Sequence, residues 1–420
     1  MKASTGAIEL LAPAGNFEKL EIAVHYGADA VYLAGKNFSL RSFSGNFSLA
    51  ELKEAQRFCR KHGVRMYVAC NIYSRNEEQA DISRFLAELG DIGPDAVIVA
   101  DPGIFLEARK VIPHIPIHVS TQANTTNHRA VTFWEQQGAS RINLARELTL
   151  AEMETIAERS SLEIEAFVHG AMCISYSGRC LLSSFMEQRE GNRGMCCHPC
   201  RFNYSVVEEK RPGQYYPVAE DKRGTYIFNA RDLCMLDHIP EMAAAGVNSL
   251  KIEGRMKGIH YVATVVKVYR EAIKHWEAAP DRYRVRAEWR AELARINHRG
   301  YSTGFYFGDP QETMPAYDHH RFSGSHVFVG KVLKNSGGNG VQVGVRNKIR
   351  LDDPVELLRA EGPNYLTRVS RIRNEAGGNM EAANPGTVVT LDLGTHCRKN
   401  DLIRTMGRGW ALSETEPARR

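Results

Sequence analysis

Between Ile8 and Gly170 the chain repeats one pattern seven times: a short apolar run followed by an amphipathic segment. The runs are IELLAP, AVYLAG, RMYVACN, AVIVADPG, PIHVSTQAN, RINLAREL and EIEAFVHG, and an eighth, SLKIEGR, follows after a long interruption. Runs that are apolar without alternation read as strands buried on both faces, the condition of a parallel sheet. Parallel neighbours need crossover segments, and FEKLEIAVHYG, LAELKEAQRFCRKHG and AVTFWEQQG have helical spacing and end in Gly, as helices often do. Serial βα units leave two architectures, a closed (β/α)8 barrel of the TIM type and an open doubly wound sheet. Eight units in series favour the α/β barrel.

A barrel places its ligand site at the C-terminal ends of its strands. Here those ends carry Pro13, Gly15, Gly35, Asn71, Asp101, Gln122, Asn124, Arg146, Glu147, His169, Glu253 and Arg255. Loops favour Gly and polar residues in any fold. Charge directly after an apolar run is more informative, because burying Arg or Glu costs on the order of several kcal/mol unless it pairs or binds something. The expectation is a polar pocket for a small anionic ligand, with internal ion pairs as the competing explanation for each charge.

The barrel is expected to occupy residues 1–275, including a Cys-rich insertion at 173–245. A basic helical connector at 276–320 carries Arg282, Arg284, Arg286, Arg290, Arg295 and Arg299 among Tyr283, Trp289 and Tyr301. Arginine beside aromatic rings suits phosphate contact and base stacking; a solvated helix face explains the same residues. At 321–408, FVGKVL, GVQVGVRNKI, PVELL, TVVTLDL and DLIRT read as short strands of a small closed or half-closed β-barrel domain. GGNGVQVG lacks the spacing of a dinucleotide loop and reads as a hairpin turn. Residues 409–420 are expected to be disordered.

Five of the nine cysteines fall between His169 and Cys200. MKASTGAIELLAPAG interrupts its apolar run with Glu9, unlike a signal peptide. No stretch approaches the roughly 18 apolar residues of a membrane span, so a cytoplasmic protein is expected. Thiols stay reduced there, so the concentration points to metal rather than to disulfides. Six residues separate Cys173 from Cys180, and three separate Cys196 from Cys200. Neither is the tight C-x2-C knuckle of structural zinc, and the wider loop leans towards an iron–sulfur cluster while leaving zinc open. Cys197 and Cys234 are competing thiols and His198 a competing zinc ligand. Cys59, Cys70 and Cys397 read as structural.

EAFVHGAMCISYSGRCLLS resembles the signature of the collagenase-like U-32 peptidase family. LLAPAGN, YGADAVYLAG, DPGIF, PIHVSTQAN, GTYIFNARDL, SLKIEGR and HRGYSTGF extend the likeness over most of the chain. Within that family the sequence is most similar to the prephenate-dependent tRNA uridine hydroxylases. That resemblance implies a barrel with a C-terminal β-module. It also implies a [4Fe-4S] cluster held by Cys173, Cys180, Cys196 and Cys200, and hydroxylation at C5 of the wobble uridine in the tRNA anticodon region, with prephenate supplying the hydroxyl. Cys197 or Cys234 could replace one of those ligands.

For such chemistry, Arg146 and Arg255 are candidates to clamp a small dianionic co-substrate. Glu147 and Glu253 could orient them or move protons. Gln122, Asn124 and His169 could read the uracil edge. The chain has no H-E-x-x-H helix and no G-x-S-x-G elbow. Cys173 with His169 could form a nucleophile pair, but a thiolate committed to a cluster cannot attack a peptide bond. A collagenase-like peptidase and a zinc-stabilised RNA-binding protein are the rival readings.

Overall fold

In the computed structural model each apolar run is a strand and each amphipathic segment a helix. The described residues are 7–36, 38–39, 45–172, 180–193, 195–197, 199, 205–207, 215–217, 231–308, 326–335 and 340–406. Along the chain come β1 (Glu9–Pro13), α1 (Phe17–His25), β2 (Ala30–Ala34), α2 (Leu49–His62), β3 (Arg65–Cys70), α3 (Gln79–Ile92) and β4 (Ala96–Val99). Then follow α4 (Pro102–Val111), β5 (Ile117–Val119), α5 (His128–Gln136), β6 (Arg141–Asn143), α6 (Leu150–Glu158) and β7 (Glu163–Ala171). Local chemistry sets the helix limits. Ser48 and Glu51 form a capping box at the start of α2, which stops at Gly63 in a left-handed conformation; Thr149 and Glu152 cap α6 the same way.

After β7 the chain makes an excursion through α7 (Leu182–Glu187), the antiparallel pair β8 (Ser205–Val207) and β9 (Tyr215–Pro217), β10 (Asp232–Cys234) and α8 (Ile239–Ala244). It returns to the barrel as β11 (Ser249–Ile252) and α9 (Ile259–Ala278). Strands β1 to β7 pair in order, all parallel, and β11 pairs with both β1 and β7. The eight-stranded parallel barrel is closed, as the repeat pattern predicts. No helix among the described residues is long and apolar enough to cross a membrane.

The excursion does more than hang over the mouth. β10 runs antiparallel along the end of β7, with Cys234 opposite His169, and carries β12 (Tyr301–Ser302) from the connector on its far side. The connector, with α10 (Ala287–Ala294), is therefore stitched to the barrel. Three of its six arginines are taken up by carboxylates rather than left facing outward. Arg299 bonds Asp232 at 2.8 Å, Arg290 pairs with Asp237, and Arg295 reaches Glu292 and Glu356, while Trp289 and Tyr283 are buried. These charges fasten elements together because each meets a carboxylate from another segment.

The C-terminal domain holds β13 (His326–Asn335), β14 (Gly340–Val345), β15 (Ile349–Arg350), β16 (Pro354–Leu358) and β17 (Tyr365–Arg368). It continues with β18 (Arg371–Arg373), β19 (Ala382–Ala383), β20 (Val388–Asp392) and β21 (Leu402–Met406). Seven of these form one antiparallel sheet, ordered β17-β16-β21-β13-β14-β20-β18, around a Val, Leu and Ile core. β13 and β14 make the hairpin read from GGNGVQVG. Arg404, fully buried, joins this sheet to the connector through Glu356 and Glu292 at 2.6 and 2.8 Å. Residues 409–420 lie outside the described residues.

Candidate active site

Two apolar layers enclose the barrel wall. The outer one packs strands on helices; the inner one is small and rich in alanine, with Leu11, Ala30, Tyr32, Ala34, Tyr67, Ala69, Ala96 and Ile98. Alanines leave room on the barrel axis that bulkier residues usually fill, and charges occupy it. At the N-terminal end Glu9 accepts from Arg141 and Tyr67 (both 2.6 Å) and from Ser249 (2.6 Å), and pairs with Arg65. Arg141 also reaches Glu165 at 3.3 Å, and Glu165 accepts from Lys251 at 2.6 Å. Burial alone would raise the Glu9 pKa, but Arg141 and Arg65 outweigh it and hold the carboxyl below its ordinary value.

This ladder ends at the floor of a cavity in the barrel mouth, a space of about 50 Å3. Tyr32, Asn71, Ser120, Thr121, Gln122, Asn143, Arg146, Phe167, Lys251, Glu253 and Arg255 line it. Lys251 is 4% exposed, with its ammonium 4.5 Å over the Tyr32 ring and 5.5 Å over Phe167. Arg146 lies 4.0 Å over the Phe167 ring; its Nη1 donates to the Ala171 carbonyl and its buried Nε has no protein partner. Arg255 donates to Ser39 Oγ and Asn46 Oδ1 at 2.7 and 2.9 Å, which fixes its guanidinium. Asn143 Oδ1 is buried without a donor. Three cations against Glu253 and the Glu165 beneath Lys251, plus an unfilled donor and an unfilled acceptor, give a polar floor suited to an anionic group reaching in from the mouth.

Four of the seven residues expected to bind or react, Gln122, Arg146, Glu253 and Arg255, meet in this cavity. Asn124 sits just outside, in a left-handed turn with a buried, unpartnered Oδ1. Glu147 is half-buried beside Tyr306, whose ionisation is suppressed mainly by burial.

His169 is the correction. Opposite it the β7–β11 register skips Val168: Phe167 pairs with Lys251, and His169 with Ile252. That bulge turns His169 away from the axis into a cage of Tyr261, Tyr269 and Tyr301, with ring centroids 5.2–5.9 Å away. Burial pushes its imidazole down to about 3. The next residue, Gly170, has φ +109°, and a Cβ there would stand 2.6 Å from the Glu253 carbonyl. Only glycine lets the two strand ends approach, and that approach places Glu253.

Lys251, Tyr32, Asn143 and Phe167 join the lining from within the strands, where residue type alone does not mark a site. The signal was present in SLKIEGR, where a lysine interrupts an apolar strand.

Of the expected cluster ligands, Cys173 and Cys200 lie outside the described residues. Cys180 and Cys196 are drawn to one turn: Asn192 Nδ2 donates to the Cys180 carbonyl at 2.9 Å, and a Cβ on Gly191 would lie 3.8 Å from Cys196 Sγ. The Cys197 thiol instead faces Ser183 Oγ at 3.3 Å, and Cys234 Sγ lies 3.8 Å from the Tyr269 hydroxyl on the other side of the excursion's strand. Among the described residues no three His, Cys, Asp or Glu side chains group closely enough to hold a metal ion. Arg193 anchors the loop at the mouth through Glu78 (2.5 Å) and the Tyr73 carbonyl (2.6 Å), and Tyr73 in turn donates to the Gln122 carbonyl.

The protein is 39% identical over 398 residues to the tRNA hydroxylation protein P1 of Bacillus subtilis, covering 94% of each chain. It is 35% identical to the tRNA hydroxylation protein P of Escherichia coli, covering 92% of this chain and 93% of that protein. A collagenase of Porphyromonas gingivalis is 29% identical, with 94% of this chain and 97% of that one covered. The peptidase family U32 model matches residues 15–315, and the family's C-terminal domain matches residues 324–404. With the barrel and the terminal sheet both accounted for, the chain belongs to peptidase family U32.

Proposed function

We propose that this protein hydroxylates tRNA, at C5 of the wobble uridine, with prephenate as the hydroxyl donor and a [4Fe-4S] cluster as cofactor. Similarity over nearly the full length to proteins named for tRNA hydroxylation supports the reaction class. The observation that carries the co-substrate is the cavity floor, where Lys251, Arg146 and Arg255 face Glu253 and the Glu165 carboxylate beneath Lys251, three cations to two carboxylates among the described residues. A dicarboxylate suits that surplus better than an uncharged peptide does.

In this reading Lys251, braced by Glu165, receives one carboxylate. Arg146 receives the other through the Nε that no protein group uses. Asn143 Oδ1 and the Gln122 side chain hydrogen-bond the uracil edge. Glu253, fixed by its backbone to His169 and Tyr261, stands where a proton must be held or moved. Cys180 and Cys196, with Cys173 and Cys200, hold the cluster, which supplies one-electron transfer when bound.

A peptidase would need an activated nucleophile. No histidine lines the cavity among its described residues. Thr121 Oγ1 is spent on the Leu144 carbonyl, and Ser120 Oγ accepts from Asn71 and the Gln122 amide.

The test is nucleoside analysis of tRNA from a deletion strain complemented with wild type or variants. Loss of 5-hydroxylated uridine in the deletion, restored by wild type and not by Lys251→Met or Arg146→Met, is expected; unchanged hydroxyuridine sinks the proposal. In anaerobically purified protein, Cys180→Ala and Cys196→Ala should lose iron and the absorbance near roughly 400 nm expected of cubane clusters. Cys197→Ala and Cys59→Ala should keep both.

A further inference from the structure

The loop of residues 253–258 has two faces. Glu253 and Arg255 look into the barrel cavity, whereas Lys257 and Gly258 line a separate groove of about 720 Å3 between the barrel and the C-terminal sheet. Its walls come from α1, the start of α9, the beginning of β13 and Arg346.

Lys19, Lys257 and Arg346 line the groove against one described carboxylate, Glu18. That carboxylate is shared between Arg346 at 2.7 Å and Lys331 at 3.2 Å, so among the described lining residues cations outnumber carboxylates. Between the cations the His260 and Phe328 rings lie nearly parallel, 18° apart with centroids at 6.2 Å. Phe328 is only half-buried. Burial, helped by Arg404, holds His260 at about 3 and His326 at about 4, so neither ring adds positive charge to the groove near neutral pH. Lys19 also donates to the Arg255 carbonyl at 2.9 Å, tying the groove wall to the residue that reaches into the cavity.

Cations spaced around an aromatic platform match a single-stranded nucleic acid, in which phosphates and bases alternate. We propose that this groove binds an unpaired stretch of the RNA substrate next to the nucleotide being modified, with phosphates on Lys257 and Arg346 and a base against Phe328. This rests on the reading of the substrate as tRNA and adds where the flanking strand is held. Occupying the groove would press on the same loop that presents Glu253 and Arg255, so strand and co-substrate would be sensed together.

The experiment measures fluorescence anisotropy of a labelled anticodon stem–loop RNA with the full-length protein over a series of salt concentrations. Lys257→Ala and Arg346→Ala should each weaken binding several-fold and flatten the log–log salt slope by about 0.7, the value for one single-strand phosphate contact. Phe328→Leu should weaken binding about tenfold with the slope unchanged, and Phe328→Tyr should restore it. Lys53→Ala, which removes an exposed charge on α2, should match wild type.

Wild-type affinity and slope in both Lys257→Ala and Phe328→Leu would overturn the inference. So would a denatured-collagen peptide whose binding depends on these residues while RNA binding does not. Hydroxyuridine content, read separately, keeps the two proposals apart: groove-dependent RNA binding without hydroxylation refutes the chemistry alone. Intact hydroxylation with groove-independent binding refutes the groove alone.

Discussion

Replacing Lys251 with Met keeps an unbranched side chain between the Tyr32 and Phe167 rings and removes the ammonium. In the free protein Glu165 loses its partner at 2.6 Å but keeps Arg141 at 3.3 Å. Stripping a buried carboxylate of its partner costs about 3–5 kcal/mol. The remaining arginine lowers the expected loss below that range, to about 2–3 kcal/mol. Adding Glu165→Gln removes the stranded charge, and the pair should show a coupling of about 1–2 kcal/mol in a double-mutant cycle measured by urea unfolding. On the ligand side, a hydrogen bond to a charged group contributes about 1.5–3 kcal/mol. Prephenate titrated calorimetrically into the anaerobic holoprotein should therefore bind roughly 10- to 150-fold more weakly. The reasoning fails if Lys251→Met unfolds at the wild-type urea concentration and the two substitutions are additive. It fails equally if prephenate affinity is unchanged, because the floor cation would then hold neither its neighbour nor the ligand.

Acid sensitivity should follow from the buried histidines. His169 and His260 are held at about 3 when folded and return towards 6.5 on unfolding, so below pH 6.5 the unfolded chain binds more protons. Their full contribution is present above pH 6.5 and is lost as pH falls towards 3, by up to about 1.4 kcal/mol per pH unit for each group. Urea unfolding at a series of pH values should show His169→Phe with a slope shallower by one proton; an unchanged slope would contradict the burial argument. Gly170→Ala forces a Cβ to within 2.6 Å of the Glu253 carbonyl and 2.8 Å of the Tyr261 hydroxyl at a positive φ, and should cost about 2–5 kcal/mol. Gly258→Ala, where the added Cβ meets nothing within 4 Å, should stay within about 1 kcal/mol of wild type in the same thermal or urea melts.

What could be read from the residues was what depends on near neighbours along the chain. A strand buried on both faces must be apolar throughout, and a helix needs its periodic stripe, its Ser48 or Thr149 cap and its terminal Gly63. The eight βα units, their barrel order and the C-terminal hairpin were therefore legible. So were Gln122, Arg146, Glu253 and Arg255, because strand ends of a barrel converge by geometry. Other features depend on residues far apart in sequence. A one-residue bulge at Val168 takes His169 out of the mouth. Lys251 becomes the cavity floor only because Glu165 and Arg141 stack beneath it on neighbouring strands. The connector arginines had the composition of a nucleic-acid surface, yet three of them meet carboxylates from distant segments, while the groove that offers cations beside a half-buried ring is assembled from α1, α9 and β13. Local pattern specifies which elements form; which charges are cancelled and which are left facing a ligand is decided when those elements pack, because a charge's partner is chosen by distance in space.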